Sequence, residues 1–138
     1  MINFNYETDF KLDSEEQISK WITEAILSET YKLEEINYVF CDDEYLHKLN
    51  VEFLNHDTLT DIISFDYSVG KIIQGDIFIS IERVKDNARD YGVIFNKELR
   101  RVIIHGVLHY CGYKDKTDAE ATIMRSKENY YLKALNSN

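Results

Sequence analysis

KELRRVIIHGVLHYC, residues 97–111, constrains the fold more than any other stretch. Its apolar positions Leu99, Val102, Ile103, Val107 and Leu108 recur at helical spacing, so the segment predicts an amphipathic helix with one face in a core. Asn96 is the expected cap, and Gly112 the stop signal. Two histidines, His105 and His109, lie four residues apart on this helix. Residues so spaced share a face, with Cβ atoms ~5–6 Å apart, and two imidazoles there can reach one ion at ~2.0–2.1 Å. A catalytic metal site needs a third protein ligand and an open position. After Gly112 the chain can leave the helix and fold Asp115 back beside His109, completing a set of His105, His109 and Asp115. Gly106 occupies the place of the glutamate in the zinc-protease pattern H-E-x-x-H, so peptide hydrolysis by that route is not expected. A glycine there suits close helix packing or the approach of a substrate backbone.

The rest of the chain must supply what this helix packs on. Ile2, Phe4 and Tyr6 alternate with polar residues and predict a strand. Ser14 and Gln17 form a capping box opening a helix with Ile18, Trp21, Ile22 and Ala25 inward. Residues 36–41 read as a strand, and Asp42 caps a helix with Leu46, Leu49 and Phe53 inward. Residues 55–61 form a polar loop, and 62–67 and 76–80 read as strands around a turn at 68–71. A helix over 81–91 ends at Gly92, and Thr117 with Glu120 opens a last helix reaching about Leu135. The expected fold class is α+β, one domain over residues 1–138, with about four strands in a small mixed sheet packed with about five helices.

Composition narrows the function classes. A net charge of −9 argues against a general nucleic-acid binder. The charge is uneven: residues 1–61 carry 15 acidic and 4 basic side chains, and residues 62–138 carry 10 and 12. The half with the histidines can therefore present a local basic face. No apolar run reaches the ~20 residues of a membrane span, the first residues do not read as a signal peptide, and Cys41 and Cys111 form no framework. A cytoplasmic location with free thiols is expected.

HGVLHYCGYKD, residues 105–115, resembles the signature of the YbeY family of bacterial metal-dependent endoribonucleases, H-G-x-L-H-L-x-G-Y-D-H. Residues 49–67 resemble the family's L-N-x-x-Y-R followed by P-T-D-V-L-S-F, residues 75–80 its G-D-I-x-I-S, and Met124 with Glu128 its closing M-x-x-x-E. The resemblance implies a zincin-like fold and one divalent metal ion, zinc by first choice. It implies cleavage of single-stranded RNA in maturation of the 3′ end of small-subunit (16S) ribosomal RNA and in ribosome quality control, with the ribosome as partner. Two positions depart from the pattern. Asp115 stands where the family carries its third histidine, with Lys114 at the family's aspartate, and a carboxylate set also suits ions other than zinc. Leu54 stands where the family carries a phosphate-contacting arginine, and His56 is the nearby candidate to replace it. Lys114, Lys116 and Arg101 are further candidates for phosphate, and Asp61 for orienting the water or a ligand histidine. Tyr67, Tyr110 and Tyr113 are candidate stacking platforms. Two other readings stay open: a noncatalytic ribosome-assembly factor with a structural metal, and a metallohydrolase with another substrate.

Overall fold

The structure, a computed structural model, describes residues 1–55 and 60–136. Four strands, β1 (Ile2–Tyr6), β2 (Lys32–Cys41), β3 (Ile62–Asp66) and β4 (Ile72–Ser80), form one sheet in the order β1-β2-β4-β3. β1 and β4 run parallel to β2, whereas β3 runs antiparallel to β4, with Ile63 opposite Phe78 and Phe65 opposite Asp76. The five helices are α1 (Glu15–Ser28), α2 (Asp43–Leu54), α3 (Ile81–Tyr91), α4 (Phe95–Tyr110) and α5 (Asp118–Asn136). This is the expected α+β mixed sheet.

Side-chain alternation divides the core between the two faces of the sheet. Phe4, Tyr38, Phe40, Ile73, Ile77 and Ile79 face a main cluster completed by α1, α4 and α5. Cys41, Ile63, Phe65 and Phe78 face the opposite side, where α2 contributes Leu46 and Leu49. The main layer is tied by polar clasps as well as by burial. The Tyr38 hydroxyl donates to the Ile103 carbonyl of α4 at 3.1 Å, and the Trp21 indole donates to the Tyr131 carbonyl of α5 at 2.8 Å. Leu99, Val102, Ile103, Val107 and Leu108 are all buried, each contributing about 1.5–3 kcal/mol of transfer free energy.

Several local expectations hold in detail. Asp42 accepts from the Tyr45 amide, Gly92 ends α3 at φ +68, and Thr117 and Glu120 exchange reciprocal capping bonds. Three do not. Ser14 is left-handed (φ +62) and makes no capping bond, so no capping box opens α1. α4 starts at Phe95 behind Ile94, not behind Asn96; the Phe95 ring packs edge-on against Phe10, and burial rather than a side-chain cap fixes the start. Phe53 is 63% exposed and meets Phe65 edge-on, while Asn50 takes the buried place on α2.

Candidate metal centre

The last two turns of α4 present His105 and His109 side by side, with ring centroids 4.5 Å apart. The helix stops because Gly112 takes φ +95, and the Tyr113 amide turns back to the Leu108 carbonyl at 3.1 Å. That reversal carries Asp115 over the histidines. Its Oδ2 lies 3.3 Å from His105 Nε2 and 3.4 Å from His109 Nε2, and the two Nε2 atoms are 3.0 Å apart. Tetrahedral ligands at ~2.0–2.1 Å from an ion stand about 3.3–3.4 Å from one another, so this triangle has the dimensions of a metal-binding face. Among the described residues these three form the His/Cys/Asp/Glu group able to hold a metal ion.

Hydrogen bonding shows why a cation fits. The Tyr113 carbonyl lies 2.9 Å from His109 Nδ1 and can only accept, so Nδ1 carries the proton and Nε2 a lone pair. Glu128 Oε2 lies 2.7 Å from His105 Nδ1 and fixes that ring in the same way. Two lone pairs and a carboxylate oxygen then converge with no proton donor of their own between them, an arrangement that a positive ion satisfies. Burial lowers the affinity of His105 for a proton, but the Glu128 hydrogen bond and the charges of Glu128, Asp115 and Asp61 outweigh it, and the pKa rises. A proton or a metal at Nε2 answers the same field.

Glu128 is the residue whose role the sequence reading missed. It is buried, with Oε1 accepting from Arg101 at 2.9 Å while Oε2 holds His105. Burial raises its pKa, but the bonds from His105 and Arg101 more than offset this and leave it lowered. The signal was present: Met124, Glu128, Tyr131, Leu132 and Leu135 share one stripe of α5, and a carboxylate on an apolar stripe calls for a buried partner. Arg101 is thereby committed to Glu128. Asp61 lines the same 230 Å³ cavity as His105 and Asp115, with its carboxyl pKa raised by burial. Its carboxylate receives Asn87 at 3.4 Å and bonds to neither histidine, so orienting the histidines falls to Glu128 and Tyr113.

The remaining candidates separate clearly. Gly106 packs on the sheet: a Cβ there would lie 3.0 Å from Ile77 Cδ1 and 3.1 Å from Ile62 Cδ1, which is the close-packing role expected of it. Tyr110 is core, its hydroxyl donating to the Phe65 and Asp76 carbonyls at 3.0 Å each, and Tyr113 donates to Glu29 at 2.7 Å, so neither ring is a free platform. Tyr67 is exposed, as are Lys114 and Lys116 beside Asp115. Cys41 and Cys111 are free and buried. Leu54 ends α2 at the surface, and His56 lies outside the described residues. No helix among the described residues is long and apolar enough to cross a membrane.

Comparison with known proteins assigns the chain to a family. The family model described as Endoribonuclease YbeY matches residues 2–136. A protein of that name from Flavobacterium johnsoniae is 67% identical over 128 residues, covering 93% of this chain and 92% of its own length. Another from Flavobacterium psychrophilum is 61% identical over 133 residues, covering 96% and 95%. The solution structure of a Thermotoga maritima protein superposes with a TM-score of 0.71 at 27% identity, covering 98% of this chain and 89% of that one. The chain belongs to the YbeY family.

Proposed function

We propose that this chain is a metal-dependent, single-strand-specific endoribonuclease that cuts RNA phosphodiester bonds, with His105, His109 and Asp115 holding one divalent ion, zinc by first choice. The observation that carries the reading is the convergence of two histidine Nε2 atoms and the Asp115 carboxylate within 3.0–3.4 Å, each histidine fixed from behind. The names of the curated relatives, which are endoribonucleases, support the reaction class. The substrate is RNA, more narrowly the 3′ end of small-subunit ribosomal RNA presented by the ribosome in the cytoplasm, and residues 1–138 act as one domain.

A divalent ion held by His105, His109 and Asp115 would lower the pKa of a bound water and polarise a phosphoryl oxygen. The residues of the chain do the rest. Glu128 and the Tyr113 carbonyl keep both Nδ1 atoms protonated, which leaves both Nε2 lone pairs available to hold an ion. Asp115 reduces the positive charge of the site by one. Asp61 stands on the cavity wall, and orienting a water is the role proposed for it. Position 106 carries no carboxylate for the protease route.

Metal content and cleavage of a short single-stranded RNA matching the small-subunit 3′ end test this together, with wild type compared with His109→Ala and Asp115→Ala and each run with and without chelator. The expected result is about one ion per wild-type chain, and cleavage that disappears with chelator and in both variants. Metal-loaded wild type that cuts no RNA, free or on the ribosome, refutes the reading in favour of a noncatalytic assembly factor.

A further inference from the structure

The cavity beside the histidines does not end at the metal ligands. It reaches Arg125 on α5 and Tyr91 at the end of α3, and an adjoining hollow of 130 Å³ is lined by the same two residues together with Lys97. The two hollows share Tyr91, Glu98, Arg101 and Arg125 in their walls, and Asp115 lines only the first. Its cations differ in availability. Arg101 is 14% exposed in its side chain and bonded to Glu128 at 2.9 Å. Arg125 is 58% exposed, and its nearest carboxylate oxygen, Glu128 Oε1, is 3.7 Å away, beyond hydrogen-bond reach. Both Glu128 oxygens are already taken, by Arg101 and His105. The Arg125 guanidinium therefore keeps its donors for a ligand.

Leu54, the position of the missing arginine, does not line this cavity among the described residues. Asp61 and Glu98 stand on the cavity wall and oppose entry of a polyanion. Arg125, the more exposed of the two arginines on that wall and held only by a long ion pair to Glu128, is then the arginine better able to meet a phosphate. Tyr91 is 63% exposed and lines both hollows, so its ring can receive an unstacked base.

Resting on the ribonuclease reading above, we infer that Arg125 binds a phosphate of the RNA strand next to the scissile one, in place of the absent arginine, and that Tyr91 stacks the base that follows. A planar guanidinium suits a phosphate bidentately, and base–aromatic stacking tolerates any sequence. The two contacts differ in kind, so they separate in experiment. The Arg125 contact displaces counterions and is salt-dependent, whereas the Tyr91 contact is not.

The test uses metal-loaded protein and a labelled single-stranded RNA with phosphorothioate linkages, which keep the charge and resist hydrolysis. Binding is followed by polarisation across a salt series, and KM and kcat are measured on ordinary RNA. Arg125→Ala is expected to weaken binding by roughly tenfold or more and to reduce the salt slope by about 0.7. Arg125→Lys restores the slope but only part of the affinity. Tyr91→Ala weakens binding about 5–150-fold with the slope unchanged, and Tyr91→Phe restores it. Metal content and Tm stay at wild-type values in all four variants, since both side chains are exposed. Wild type that binds and cuts while Arg125→Ala matches it in slope, affinity and KM overturns this inference alone. Wild type that neither binds nor cuts RNA overturns the ribonuclease reading, and this one with it.

Discussion

Replacing Glu128 by glutamine tests the centre at its most constrained point. The carboxylate is almost fully buried and serves two donors, His105 Nδ1 at 2.7 Å and Arg101 at 2.9 Å. An amide has one oxygen and one NH2, so it can accept from only one of them. If the oxygen stays on Arg101, the NH2 faces His105 Nδ1 and forces the other tautomer, with the proton on Nε2 where the lone pair is needed. If the oxygen turns to His105, the NH2 faces the guanidinium and leaves a half-buried cation unpaired. Loss of one partner from a buried pair costs about 3–5 kcal/mol. Arg101 is 14% exposed and a neutral acceptor remains, so about 1–3 kcal/mol is the expected loss here. That lowers the Tm of the metal-free protein by roughly 5–10 °C. Metal affinity should fall about 10–100-fold, the usual effect of removing a partner that orients a ligand. Competition with a chromophoric chelator measures the second quantity and thermal unfolding the first. A folded glutamine variant that holds metal as tightly as wild type would refute the argument that Glu128 sets the His105 tautomer.

Two further perturbations probe how the sheet and the far helices hold this site. Gly75→Ala places a Cβ on the Tyr110 hydroxyl and 2.6 Å from the Phe65 carbonyl oxygen, so denaturant unfolding should show a loss of about 1–3 kcal/mol, and a wild-type midpoint would mean that Tyr110 does not clamp α4 to β4. Glu29 accepts from Tyr131, from Tyr113 at 2.7 Å and from Lys127 at 3.1 Å; burial raises its pKa, but these bonds outweigh it and leave the folded value lowered. Its stabilisation is complete above the unfolded carboxylate pKa of about 4.3 and is lost as pH falls through the lower folded value, so Glu29→Gln should cost stability at pH 7 and flatten the acid limb of a stability–pH curve. An acid limb identical in wild type and variant would show that the brace carries no titrating free energy.

The histidine pair, the turn at Gly112 and the sheet-forming runs were legible because each rests on local chemistry: helical spacing, a residue without a Cβ, alternation along a strand. Asp115 was legible by the same route, since three residues past a helix stop bring a side chain back over the last turn. The misses share a different cause. Whether Ser14 caps α1, or Asn96 caps α4, depends on backbone angles that packing decides, and the Phe95 ring in its place against Phe10 outweighed a side-chain cap. Phe53 has the spacing of an inward residue, but how far a core extends under a helix is a tertiary fact. Arg101 offered itself as a phosphate binder until Glu128, 27 residues later, claimed it.

The same distinction separates the parts of the centre itself. Both Nε2 nitrogens of the candidate centre come from one helix, yet neither histidine is aimed by that helix alone. His105 is aimed by α5 through Glu128, and His109 by the loop through the Tyr113 carbonyl. That loop is anchored in turn through the Tyr113 hydroxyl to Glu29, at the end of α1. Three elements far apart in sequence thus meet on two imidazoles. Asp115 has no such support and is the most exposed of the three ligand candidates, 41% in its side chain. A site with two braced ligands and one exposed one is expected to tolerate exchange at the exposed position first. The carboxylate that departs from the resembled signature thus falls at the least supported of the three positions, while both braced histidines fit it. The exchange has an electrostatic consequence. A divalent ion would carry a charge of +2 among three neutral imidazoles and +1 with Asp115 in the set. The weaker field would attract phosphate less, which increases the need for an exposed cation such as Arg125 in the same cavity.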